Sequence, residues 1–557
     1  MTERVRRALR WLAGAAVLAA PFPVLWIIVR FGVNVPIEDQ IDIGDFLVRN
    51  HDRLVPPFAD LFAQHNESRK IIPRLIIFYL ARLTNWNVKY EMAMQVVIAC
   101  GTVGALWFLA RRSLGERALS ATALCTLLVL SPVQWWNWLF GIQIVVFLPM
   151  MMLTVALAVV GRQLSLRSRA VIAGLCCLIA TYSYANGMLL WILVAIALFA
   201  RREDRSPAMI ALWFAAAVAS IGCYFIGYHR PPVSPTLISP LNHPLQAAAF
   251  VLAFLGHSLA WTDVLTVSVI IGGIGTALFA LFALRARWAG LPWILIGSYS
   301  LISAAAAAMG RLGFGMWAAI EPRYTTFAVG FWVAVVMLAV VADAPHIIPS
   351  VSEGPGRGEA GLPDHPGPSL TLGMTWGAIL ALHIAAAIAI LPKVRESNRD
   401  RLIARAAVQF CRVLPDSSLF RRLVYRDPAH AIPILSAVSQ IGYLNPPLVD
   451  SPMIRSSGPT RGAFEGVLRT APHQYAMYGW ALLPDGRLAD AVLIARDGRI
   501  VALSERTIAR PDRPAPGWDL PVTQALAIAG AVYNAYAYDT STGRAYQLSG
   551  SVQAGRR

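Results

Sequence analysis

Apolar runs, most of them of about the length that crosses the hydrocarbon core of a bilayer, recur along the first 391 residues as candidate spans, parted by short polar connections. They fall at residues 11–31, 91–110, 118–132, 139–161, 170–186, 188–200, 207–227, 264–284, 290–309, 324–343 and 371–391. Two further apolar stretches, 71–83 and 246–260, are short, and the first carries Arg74 and Arg82, so both read as interfacial helices. With alternate connections assigned to the cytoplasm, the basic N-terminal arm and four arginine clusters share one side. Those clusters are Arg111/Arg112/Arg117, Arg162/Arg167/Arg169, Arg201/Arg202/Arg205 and Arg285/Arg287. That asymmetry is the positive-inside pattern. It predicts an all-α polytopic membrane protein with about eleven spans and a cytoplasmic N-terminus. The first run follows a basic start but is too long, and has too many successors, to be a cleaved signal.

Residues 344–370 are rich in Pro and Gly and read as a flexible cytoplasmic loop. An odd number of spans puts everything after about residue 392 outside. Residues 392–460 read as a helical linker, and from 461 the apolar period changes to two. Asp497-Gly498 between the runs ADAVLIAR and RIVALS signals a hairpin, and AYAYD with GRAYQL forms a second pair. The expectation is a small extracytoplasmic β-rich, sandwich-like domain over 461–557.

Composition agrees with a membrane protein: 57% of residues are hydrophobic and 14% charged, against about a quarter charged in soluble domains. A net charge of +17 would suggest nucleic acid in a soluble chain; here the arginines sit between apolar runs, where membrane orientation accounts for them. Lys70, Lys89 and Lys393 are the only lysines. The six cysteines, five of them in apolar runs, form neither a disulfide framework nor a zinc pattern.

Candidate chemistry gathers in the first outer loop, residues 32–70, which opens VPIEDQIDIGDF. Pro36 suits a first helical turn, placing Glu38 and Asp39 at the positive end of a helix dipole, which favours the ionised carboxylate. Ordinary first-turn acids are the competing reading. The loop ends QHNESRKIIPRLI, where His65, Asn66, Glu67, Arg69 and Arg74 crowd against an apolar run; on a helix His65 and Arg69 would share a face. Other span ends on that side contribute Trp138, Tyr184, Asn186, Arg311, Arg323 and Tyr324. Singly, each could be an interfacial anchor. His383, alone in an apolar run, reads as a hydrogen-bonded structural histidine.

The VPxxDQ opening, the HNExR block, the WNWxxxxQ segment, the SxANG turn and the RYTT start of a late span resemble uncharacterised bacterial membrane proteins of the GT-C glycosyltransferase superfamily. The likeness covers roughly residues 1–390, and GWALLPDGRLADAVLI resembles their appended domain. Glu38 stands where an aromatic residue is common, and Ser68 where a second histidine is common. The resemblance implies a sugar transferred with inversion from a polyprenyl-phosphate donor to a glycan or glycolipid acceptor, outside the bacterial cytoplasmic membrane. Asp39 matches the acid that serves as base there, with Glu38 the alternative. Arg69, Arg74, Arg311 and Arg323 are the candidate cations for the leaving phosphate. The remaining outer-face residues would bind substrate. No cofactor, metal or nucleic acid is expected. A transporter or flippase for a lipid-linked saccharide, and a non-catalytic scaffold for envelope assembly, are the rival readings.

Overall fold

The computed structural model describes residues 3–231, 239–343 and 370–553, except 472, 473, 505, 509–511, 514, 515, 524, 525, 527 and 529. All but the last residue of the expected loop at 344–370 lies outside them. The chain divides into two compact units. One holds residues 1–30, 57–76 and 91–394; the other holds 31–56, 77–90 and 395–557.

The first unit is helical, and the protein is a multi-pass membrane protein. Among the described residues eight helical segments are long and apolar enough to cross a membrane: Arg10–Phe31, Lys89–Leu114, Ala118–Trp138, Gly141–Val160, Pro207–Phe225, Leu265–Phe314, Pro322–Asp343 and Gly377–Gln409. Leu265–Phe314 contains two α-helices, Leu265–Ala286 and Leu291–Arg311. The runs expected at 170–186 and 188–200 form the shorter helices Leu166–Thr181 and Leu190–Leu198. His383 is buried, with its ring bonded to the Leu127 backbone.

Apolar residues on every face of a helix mean burial by protein or by lipid. Pro322–Asp343 is surrounded by protein over nearly its whole length, whereas Pro207–Phe225 keeps most of its apolar surface open. Close approach is made possible by glycine. Helix Pro244–Gly256 meets helix Leu265–Ala286 backbone to backbone: a Cβ on Gly256 would run into the Ser268 carbonyl oxygen, and one on Gly272 into that of Leu252. Beside Leu166–Thr181, Arg169 and Asp204 form a buried bidentate ion pair at 2.9 and 2.5 Å.

The second unit is α+β. Its helices include Asp39–Arg49, Ser418–Leu423 and Pro428–Gln440. The first and last pack tightly at Gly44, where a Cβ would lie 3.1 Å from Trp86, 3.2 Å from Val438 and 3.3 Å from Ile434. After the two-residue strands β1 (Gln64–His65) and β2 (Ser68–Arg69) of the first unit, all strands among the described residues belong to this unit. They are β3 (Ser456–Ala471), β4 (Gln474–Ala481), β5 (Ala491–Arg496), β6 (Arg499–Leu503), β7 (Arg506–Ile508), β8 (Gly517–Pro521), β9 (Val532–Asp539), β10 (Arg544–Ser549) and β11 (Val552–Gln553).

These nine form one curled sheet, ordered β6-β5-β9-β10-β3-β4-β8-β7 with β11 on β9, and not the two facing sheets of a sandwich. The curl lets a single sheet enclose its own core of Phe464, Met477, Ile494, Trp518, Leu520 and Tyr533. Both expected pairs form: β5 with β6 about Asp497 and Gly498, at φ 49° and 77°, and β9 with β10. Positive φ at both central residues is what a two-residue hairpin turn of this twist requires.

Candidate functional site

In the second unit a cleft of about 990 Å³ opens at the start of helix Asp39–Arg49. The helix begins later than Pro36 suggests. Glu38 is its cap residue, at φ 48° and ψ −130°, a conformation disfavoured for a side chain larger than glycine. The Glu38 N–H donates to the Val424 carbonyl at 2.8 Å, which holds the chain in that sharp entry. Asp39 and Asp42 follow in the first turn, at the positive end of the dipole. Both Glu38 and Asp39 line the cleft.

Its other wall comes from residues some 380 positions later in the chain. Arg421 lies on the short helix Ser418–Leu423, and Arg426 on the loop that follows. Asp427 caps helix Pro428–Gln440 by accepting from the Ala429 N–H at 3.0 Å. Tyr425, Pro428 and Ile432 supply an apolar lining between the charges, and Asp416 completes the acids. Arg421 reaches Asp416 at 3.6 Å, but both are exposed, so the pair is worth little and the guanidinium can turn to a ligand. Asp42 is engaged elsewhere: its Oδ1 meets His430 Nε2 at 3.0 Å and accepts from the Tyr425 hydroxyl at 3.3 Å. The cleft thus carries carboxyl groups, two arginines and an aromatic ring, groups suited to proton removal and to holding an anion.

The chain matches no known family model, no curated protein and no solved structure.

A second polar cluster lies in the first unit. His65 and Arg69 do not share a helical face. Asn66, at φ 51°, reverses the chain, and β1 and β2 pair Gln64 with Arg69 and His65 with Ser68. His65 Nδ1 lies 3.0 Å from Lys70 Nζ. Glu67, at the turn, accepts from Arg311 Nη2 at 2.9 Å, and its carbonyl accepts from the Tyr224 hydroxyl at 2.9 Å. Tyr324, Arg323, Arg311 and Glu67 all lie close enough to Tyr184 to act on it electrostatically, which gathers these residues around it. Arg323 pairs with Glu321, Tyr324 stacks on Phe254, and Asn186 donates to Ser303 at 3.0 Å. Gly187 makes the turn after Asn186 possible, because a Cβ there would strike the Ala180 carbonyl.

Three residues named from the sequence make contacts that hold the fold. Arg69 donates from Nε to the Tyr224 carbonyl at 2.6 Å, from Nη1 to that of Phe62 at 2.5 Å and from Nη2 to that of Ile226, with its Cζ 4.0 Å from the centre of the Phe62 ring. Arg74 Nη1 gathers the carbonyls of Asp60, Leu61 and Ala63 at the end of helix Phe58–Phe62. Both guanidinium groups satisfy chain ends that water would otherwise have to reach. Trp138 is fully buried, donates to the Ser131 carbonyl at 2.7 Å and stacks on Phe147.

The sequence reading missed Arg421, Tyr425, Arg426 and His430. A signal existed: FRRLVYRDP places three arginines in six residues of a segment expected outside, where membrane orientation gives them no use.

Proposed function

We propose that the protein is an inverting glycosyltransferase that uses a polyprenyl-phosphate sugar donor and a glycan or glycolipid acceptor outside the cytoplasmic membrane. About eleven crossings and an extracytoplasmic C-terminus complete this GT-C-like reading. One observation carries it: Glu38 and Asp39 line the same cleft as Arg421 and Arg426, in a volume of sugar-binding size. The Asp39 carboxylate takes the proton of the acceptor hydroxyl as that oxygen attacks the anomeric carbon. The bond from that carbon to the donor phosphate breaks, and the phosphate leaves with the electron pair. Arg421 and Arg426 stabilise the charge that develops on it, which transfers to them the role expected of Arg69 and Arg74. Tyr425 offers a face for a sugar ring.

The test is the purified full chain against a panel of polyprenyl-phosphate sugars, with release of lipid phosphate as readout. Asp39→Asn should lower turnover about a hundredfold or more, and Glu38→Gln should have a modest effect. The reverse pattern transfers the base to Glu38. Normal transfer by the double variant defeats the mechanism and leaves lipid-linked saccharide transport, or a scaffold role, in its place.

A further inference from the structure

Three separated segments of the first unit bring arginines together. Helix Lys89–Leu114 carries Arg112 near its end, Arg162 follows helix Ile144–Val160, and Arg201 follows helix Leu190–Leu198. The Arg112 guanidinium lies on the backbone beside Arg162, since a Cβ on Gly161 would be 2.8 Å from Arg112 Nη1. Arg201 and Arg162 are the charged groups that act on Arg112.

Like charges held together at the edge of an apolar surface repel one another unless a counter-charge arrives. Among the described side chains the neighbouring acids do not supply it. Glu203 sits 3.6 Å from Arg201 in an exposed pair, and Asp204 is taken by Arg169. Neither Arg112 nor Arg162 meets a carboxylate among the described residues. Beneath the charges the surface is apolar and open. Arg162 lies over the Phe108 ring at 5.0 Å and Arg111 over Trp107 at 5.3 Å, while Phe108 and Leu164 are each 44% exposed. A cationic rim above an exposed aromatic and aliphatic flank matches a molecule with an anionic head and hydrocarbon chains. Free phosphate has nothing to place against Phe108.

We infer that Arg112, Arg162 and Arg201 form a binding site for the phosphodiester headgroup of an anionic glycerophospholipid. The forked guanidinium groups hold the non-bridging oxygens, and an acyl chain lies along Phe108 and Leu164.

Native mass spectrometry of the full chain in a neutral detergent tests this, with short-chain phosphatidylglycerol, phosphatidylcholine of the same chains, and inorganic phosphate as probes. Phosphatidylglycerol should bind more tightly than phosphatidylcholine. The single variants Arg112→Gln and Arg162→Gln should each weaken phosphatidylglycerol about fivefold and leave phosphatidylcholine unchanged. If a variant does not insert, the wild-type protein decides alone. Equal affinity for the two lipids overturns the site. Inorganic phosphate binding as tightly as phosphatidylglycerol overturns the lipid assignment and marks a free-phosphate site.

Discussion

His430 Nε2 lies 3.0 Å from Asp42 Oδ1, and the Tyr425 hydroxyl donates to the same oxygen at 3.3 Å. One first-turn carboxylate therefore joins helix Asp39–Arg49 to the chain at 425–430. Asp42 is held by these two partners, while its neighbour Asp39 lines the cleft. Glu38 and Asp39, the other two acids at this helix start, line the cleft.

Burial, and then the charge and hydrogen bond of Asp42, push Tyr425 up to about 12. A phenol whose folded value exceeds its unfolded value adds stability below about pH 10, and that stability is lost as the pH rises towards 12. The ultraviolet difference titration of wild type minus Tyr425→Phe should show a phenolate forming near the upper end of that window. Asp42→Asn should move it downward, leaving only the part due to burial. An ordinary titration near pH 10 in the wild type would remove the coupling.

Arg69→Ala strips donors from the carbonyls of Phe62, Tyr224 and Ile226. Loss of about 3 kcal/mol of stability is expected, read by thermal unfolding in detergent. Arg426→Gln, at an exposed position, should change stability by less than about 0.5 kcal/mol and instead weaken donor binding. The two measurements together separate a clamp from a ligand-binding cation.

Asp204→Asn leaves the buried Arg169 guanidinium without its counter-charge, at a site where both side chains are under a tenth exposed. The expected cost is about 3–5 kcal/mol. The double variant Arg169→Met with Asp204→Leu should recover most of it, because the penalty comes from the orphaned charge.

The helical spans and the hairpin at Asp497-Gly498 were legible because each rests on local pattern: apolar length in one case, alternation and a tolerated positive φ in the other. The start of helix Asp39–Arg49 was legible to within a turn, since acids in a first turn are a local signal too. The placing of Glu38 and Asp39 in one cleft with Arg421 and Arg426 was not, because nothing local ties residues so far apart. The carbonyl contacts of Arg69 and Arg74 were hidden for a different reason. An arginine bound to carbonyls and one facing a phosphate have the same neighbours in sequence, and only the ends of helices Phe58–Phe62 and Pro207–Phe225 distinguish them. The curl of the sheet was hidden because alternation marks an inner face without saying whether a second sheet or the same one covers it.

Gly256→Ala should force helices Pro244–Gly256 and Leu265–Ala286 apart, at about 1–3 kcal/mol, and Gly272→Ala should do the same from the other side. Alanine at Gly222, where nothing lies within 4 Å of the added Cβ, is the control and should be neutral or better. Thermal unfolding of the three variants side by side gives the comparison.

That glycine contact also bears on how the chain is made. Helix Pro244–Gly256 has 13 residues, a length of about 20 Å against roughly 30 Å of hydrocarbon, so it is a poor passenger for an insertion machine that handles helices one by one. Its partner, Leu265–Ala286, is long enough but emerges from the ribosome afterwards. As an interfacial helix it depends on its longer partner, which holds it through the contact at Gly256 and Gly272. Substitutions there should consequently reduce the amount of protein that reaches the membrane before they reduce the stability of what arrives.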